Sequence, residues 1–307
     1  MKILYATSEA APFAASGGLG DVLGALPRTL KSLNPKENEV SVILPLYGQI
    51  SAAQRKNMKY LTSYEIRYSW RNEYCGIFRA TVDGVNYYFI DNEQYFKRPG
   101  SLYGQYDDGE RFAFFSMAVI EFMLRMNEIP DVLHANDWQT AMTVVYLRTK
   151  YAGCEALRGV KTVFTIHNIE YQGKFDPYIL GNVFALDEKY KSILEYDGCL
   201  NLMKGAIVCA DRVNTVSPNY ANELRHAFFA CGLQNIINMY AYKICGVING
   251  IDTVYFSPDR GGDIDYPYDA STVTEGKAKN KLALQKELGL TQDAGIPMIV
   301  MITRLTH

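Results

Sequence analysis

Several function classes are excluded by what this sequence does not contain. Its 307 residues carry 31 Lys and Arg against 33 Asp and Glu, a net charge of −2, so it has no polybasic footprint for nucleic acid or an anionic membrane. It has no run of about 18 apolar residues, as a spanning helix would need. The N-terminus has one lysine and a short apolar stretch that soon meets Ser8 and Glu9, with no signal-peptide core. Its six cysteines include no Cys-x-x-Cys pair, the pattern of buried free thiols in a reducing compartment, and no metal site is expected. These absences predict a soluble, cytoplasmic chain without metal or cofactor.

The most informative stretch lies at the N-terminus. An apolar strand over 3–6 leads to Ser16-Gly17-Gly18-Leu19-Gly20-Asp21, and Val22, Leu23, Leu26 and Leu30 then recur at helical spacing, predicting a helix over 21–33. Glycine lets backbone approach a ligand closely, and a helix start presents N–H groups and the positive end of a dipole. Such a loop can hold a phosphate, although the same glycines would also serve a tight strand-to-helix turn. A dinucleotide fingerprint is not met, because the third glycine position is Leu23 and Gly24 comes one place late. The second strand, over 39–44, ends in Pro45-Leu46-Tyr47 with no acid for a ribose hydroxyl. A nicotinamide oxidoreductase is therefore disfavoured.

Further along, a polar helix is expected over 47–56. Strands over 77–82 and 85–90 flank Asp83-Gly84, a two-residue hairpin signal. An aromatic loop over 92–108 precedes a helix over 110–127 with Phe112, Phe115, Val119, Phe122 and Met126 on one stripe. Strands then end in polar groups. The strand at 132–133 delivers His134-Ala135-Asn136-Asp137-Trp138, that at 161–166 delivers His167-Asn168-Ile169-Glu170-Tyr171-Gln172-Gly173, and that at 246–248 delivers Asn249-Gly250-Ile251-Asp252. Helices are read over 138–150 and 199–210, a strand over 212–216, and Ser217-Pro218 as a cap and first helical residue. The fold class is α/β, a Rossmann-like, mostly parallel sheet with helices on both faces and an antiparallel hairpin insertion. In such a sheet ligands sit outside the carboxyl ends of the strands. Each polar residue also has a structural reading: Asp21, Asp137 and Ser217 as helix caps, His167 as a hydrogen-bonded loop residue, and Trp138, Tyr171 and Phe175 as packing. The expected organisation is a domain over 1–257, a linker over 258–276 and the opening of a second domain over 277–307, with a buried strand at 297–302.

Taken in order, Ser8-Glu9, Gly17-Gly18-Leu19-Gly20-Asp21, His134 to Trp138, His167-Asn168 with Tyr171-Gln172-Gly173, Val216-Ser217-Pro218, Asn249-Gly250-Ile251-Asp252 and Arg304-Leu305-Thr306 resemble the bacterial glycogen (starch) synthases. The resemblance implies the N-terminal half of a GT-B fold. It implies transfer of glucose from ADP-glucose, the donor substrate, to the non-reducing end of an α-1,4-glucan with retention, and a fragment inactive without its C-terminal domain. It places Asp137, His167 and Arg304 in catalysis, and Glu9, Ser16, Gly17, Gly18, Asp21, Tyr95, Asn168, Gln172 and Asn249 in substrate binding. Ala15 stands where that family's loop usually carries a lysine. A non-catalytic α-glucan-binding module is the alternative.

Overall fold

The computed structural model describes residues 1–260 and 264–302. The chain divides into two compact units, Met1–Gly250 and Ile251–His307. The strands of the first, in chain order, are β1 (Lys2–Ala6), β2 (Glu39–Pro45), β3 (Lys59–Tyr68), β4 (Arg71–Val82), β5 (Val85–Asp91), β6 (Val132–Asn136), β7 (Lys161–Ile166), β8 (Lys174–Phe175), β9 (Glu195–Tyr196), β10 (Cys199–Asn201), β11 (Arg212–Thr215) and β12 (Ile244–Gly246). Nine of them form one sheet in the order β12-β11-β7-β6-β1-β2-β5-β4-β3. Pairing is parallel from β12 to β5 and antiparallel where β4 and β3 extend the edge.

The order of strands determines where a site can form. From β1 the chain crosses to β2 on one side, and from β6, on the other side of β1, it moves away through β7, β11 and β12. Right-handed crossovers therefore place the helix Gly18–Leu33 and the helix Trp138–Arg148 on opposite faces. The carboxyl ends of β1 and β6 flank the point where the winding reverses, and there the two departing loops leave a crevice. Covered on both faces, β2 buries Val40, Val42, Ile43 and Leu44 in succession. The hairpin turns at Asp83 and Gly84, both with positive φ (50° and 78°), as a type I′ turn requires.

Several expectations differ from the structure. The first helix begins at Gly18, not at 21, and the segment 47–56 is helical only over Ala52–Lys56. The helix Asp108–Arg125 is not one-sided, since Phe114, Met117, Ala118 and Ile120 are as buried as the expected stripe; it packs against the helix Trp138–Arg148 as well as against β3. Residues 199–210 are not all helix, because β10 precedes the helix Leu202–Cys209 and pairs with β8 and β9 in a small antiparallel sheet. The last strand lies two residues early, at Ile244–Gly246, where a Cβ on Gly246 would fall 2.1 Å from the Ser217 carbonyl oxygen.

In the second unit the helix Val273–Glu287 starts inside the expected linker. Its Gly276 packs on Tyr268, and its Gln285 side chain bonds the backbone of Asp293. Residues 297–302 form no strand, and Ile299 and Ile302 are 96% and 95% exposed. A strand needs a neighbour for its backbone groups, and this unit has none among the described residues.

The glycines of the first helix are not equivalent. A Cβ on Gly24 would lie 2.8 Å from the Ala11 Cβ and 2.9 Å from its carbonyl oxygen, whereas one on Gly18 would meet nothing within 4 Å. Gly24→Ala is expected to destabilise the chain by about 1–3 kcal/mol through overpacking, and Gly18→Ala to change stability by less than about 0.5 kcal/mol. Denaturant midpoints compared at constant m-value test both.

Candidate functional site

Glu9, in the loop after β1, is 3% exposed, yet its carboxylate is well supplied with donors. It accepts from the Ser16 amide, from Ser16 Oγ at 2.7 Å, from the Gly17 amide at 3.3 Å and from the Tyr103 hydroxyl at 2.6 Å. Tyr103 also meets Ser8 Oγ at 2.8 Å, and burial, together with nearby Tyr47 and Glu9, pushes its hydroxyl well above the ordinary tyrosine range. Glu9 therefore acts as the anchor of the glycine loop, with its oxygens occupied by the protein. Gly17 is the extended N-cap of the helix, Gly18 and Ser16 are exposed and Gly17 is half-buried. A Cβ on Gly20 would clash with Ala15 at 2.5 Å and approach Glu9 Oε2 to 3.2 Å. Packing thus requires glycine at positions 20 and 24, while the space beside Gly18 is open. Asp21 is exposed in the first turn and is not the cap.

The second cluster is built from the ends of β6 and β7. Asp137 has φ +55°, an uncommon conformation for a non-glycine residue. It does not cap the helix that follows. Its Oδ1 instead accepts from the His167 amide at 2.8 Å and from the Asn168 amide at 3.4 Å, tying the two strand ends together. Loss of hydration pushes this carboxyl up to about 7, with the Glu9 charge adding to the rise and the two amides opposing it. The His167 ring lies 3.0 Å from Asn136 Oδ1 through Nε2, and burial lowers its pKa to about 4. His134, stacked on Tyr5 at 4.8 Å, has its Nε2 2.6 Å from Thr165 Oγ1; burial and the neighbouring His167 lower its pKa to about 3. Both rings are therefore neutral at pH 7.

Asn136 is the site residue that sequence reasoning passed over. It is 1% exposed, and its amide nitrogen donates to the carbonyls of Ala6 and His134 at 3.1 and 3.2 Å. It thus links β1 to β6 while facing His167. The available signal was its place at a strand end, between His134 and Asp137.

Two expected binding residues are committed to the interior. Tyr95 is 1% exposed, donates to Glu110 Oε1 at 2.6 Å and meets the Tyr68 hydroxyl at 3.0 Å, packed in the core. Gln172 donates to the carbonyls of Ile169 and Cys231, both at 3.0 Å, and accepts from Asn201 at 2.7 Å. With both amide groups hydrogen-bonded inside the protein, it braces the loop after β7. Gly173, at φ +66°, would place a Cβ 2.7 Å from the Trp138 indole. Tyr171, expected to pack, is 60% exposed. Asn168 is exposed and accepts from the Glu170 amide at 2.9 Å. Asn249 is exposed just beyond β12, at the same end of the sheet. Ser217 does cap its helix, accepting from the Tyr220 amide at 3.0 Å. Arg304 lies outside the described residues. Of the six free cysteines only Cys75 is fully buried, and Cys231 and Cys245 are exposed, so their distribution is not that of a uniformly buried set. No helix among the described residues is long and apolar enough to cross a membrane.

Comparison with known proteins gives this geometry a family. Residues 2–239 match the family described as the starch synthase catalytic domain. Glycogen synthases of Streptococcus agalactiae and Streptococcus mutans are 46% and 47% identical over 308 residues; each alignment takes in 100% of this chain and 64% of the relative. The catalytic domain of starch synthase IV from Arabidopsis thaliana, solved bound to ADP and acarbose, superposes with a TM-score of 0.83 at 34% identity, covering 94% of this chain and 59% of that one. This chain thus spans less than two thirds of the length of the curated relatives it matches. With the family match running through β1, β6, β7 and the loops they carry, the chain belongs to the starch synthase catalytic domain family.

Proposed function

We propose that this chain is the acceptor-side part of an enzyme that transfers glucose from ADP-glucose to the non-reducing end of an α-1,4-glucan such as glycogen, with retention of configuration, in the cytoplasm. The observation that carries this reading is that an anchored but open glycine loop leaves β1 while a neutral histidine leaves β7, two strands away across β6, at the same end of the parallel sheet. Negative charge accumulates on the diphosphate as the glycosidic bond breaks. The first-turn amides of the helix Gly18–Leu33, held in place through Glu9, would stabilise it without reorganising. His167 suits the hydroxyls of the transferred glucose, and Asp137 acts through it by fixing the peptide between β7 and the following loop. Asn249 and Asn168 would complete the polar rim. Arg304 would neutralise the departing diphosphate, as a bidentate guanidinium is fitted to do.

The relatives extend beyond the aligned length, and their remaining part would supply the nucleotide contacts. On this reading residues 1–257 are the acceptor-side domain, 258–276 a linker and 277–307 the opening of the nucleotide-binding domain. Closure of the two domains would exclude water from an oxocarbenium-like sugar.

Radiolabelled glucose transfer to glycogen tests the reading. A fusion of this chain to the C-terminal remainder of the Streptococcus agalactiae relative is expected to use ADP-glucose, the 307-residue chain alone to be inactive, and His167→Ala in the fusion to lose about 10²–10³-fold in rate. An active fusion indifferent to His167 would refute the assigned role.

Asp137 also gives the site a pH signature. Its folded pKa, about 7, lies above its ordinary value of 3.8, so the folded chain holds the proton more tightly, and the carboxyl costs stability increasingly as pH rises from 4 to 7. Asp137→Asn is therefore expected to raise the melting temperature relative to the parent by an amount that grows between about pH 4 and pH 7 and then levels off. A constant difference across that range would show that the carboxyl titrates normally.

A further inference from the structure

We infer that Asn136 is a positioning residue that fixes His167 as the Nε2–H tautomer, so that Nδ1 is the ring's acceptor. The argument rests on which atoms can face which. The Asn136 amide nitrogen sits 3.1 Å from the Ala6 carbonyl oxygen and 3.2 Å from that of His134. Carbonyl oxygens only accept, so the amide cannot be flipped without setting its own oxygen against two others. Oδ1 is thereby turned to His167 Nε2 at 3.0 Å. An amide oxygen only accepts as well, so Nε2 must carry the hydrogen. The backbone that sets this geometry is the sheet itself, because Ala6 and Ala135 are register partners of β1 and β6 and Asn136 pairs with Thr165 of β7.

The neighbouring histidine shows the same device. Thr165 Oγ1 donates its single hydrogen to Asn214 Oδ1 at 2.7 Å, so at the 2.6 Å contact with His134 the hydroxyl can only accept. His134 is also an Nε2–H ring. Each of the two rings is polarised by an asparagine, directly for His167 and through Thr165 for His134.

The consequence for the site is that neutral His167 offers one lone pair, on Nδ1. It would receive a hydrogen bond from a donor hydroxyl and would not supply a proton to a leaving group. That consequence rests on the glucosyl-transfer reading, whereas the tautomer does not.

Two-bond 1H–15N correlation spectra of the unliganded chain at pH 7 test it, with the four histidines assigned by single His→Gln variants. The expected pattern for His167 is a protonated, pyrrole-type Nε2 and an unprotonated, pyridine-type Nδ1. Asn136→Asp keeps an oxygen facing Nε2 but replaces the NH2 that faces the Ala6 and His134 carbonyls by a second oxygen; as a carboxylate it is expected to keep that tautomer while raising the His167 titration midpoint by about one to three pH units. Asn136→Leu removes the acceptor and should give a mixture of tautomers. A pyrrole-type Nδ1 in the parent chain overturns the inference even if neither variant folds. So does a single, unchanged Nε2–H tautomer in a folded Asn136→Leu variant. Loss of packing alone would move neither nitrogen in this selective way, and the spectra need no substrate, so failure of glucosyl transfer and failure of the tautomer assignment are separable.

Discussion

The carboxylate of Glu9 is the interaction on which the site depends. A buried acid is costly unless its oxygens are hydrogen-bonded, and here the donors come from two sources: the backbone and hydroxyl of the glycine loop, and the Tyr103 hydroxyl from the aromatic loop before the helix Asp108–Arg125. One side chain therefore ties the glycine loop to the aromatic loop. The glycine loop is open where Gly18 faces outward and closely packed where Gly20 meets Ala15. It is thus pre-organised without bulk on its outer side, a condition under which aligned amides stabilise charge most effectively.

The second constraint is the reversal of winding between β1 and β6. It brings the start of one helix and the strained Asp137 of another connection to neighbouring strand ends. Asn136 and Asp137 then bind that arrangement to β1 and β7 by hydrogen bonds that involve main-chain groups. Sparsely populated backbone conformations persist where their surroundings over-determine them, and Asp137 is held on both sides. The site is thus a product of the sheet's topology as much as of its residues.

Much of this was legible in the sequence because the long parallel strands are apolar runs and polar residues stand out at their ends. Residues 161–166 and the Asp83-Gly84 turn needed nothing beyond local pattern. The small sheet of β8, β9 and β10 was not legible, since strands of two or three residues carry no periodicity. The resemblance places Tyr95 and Gln172 among the binding residues, and the partners they meet in the fold, Glu110 and Tyr68 for the one and Asn201 and Cys231 for the other, are set by tertiary contacts that spacing does not encode. Asn136 escaped notice because an amide beside an acid and a histidine gains its role only from the carbonyls it faces.

The outer strand β3 has a bearing on how this chain meets its neighbours in solution. Ten residues long, it closes one side of the sheet with Lys59, Glu65 and Arg67 along it, and its pairing with β4 is broken by a register shift between Tyr60 and Thr62. Charge and irregularity of this kind oppose ribbon-to-ribbon growth. An edge strand rich in tyrosine thus carries its own barrier to fibrillar stacking along that margin.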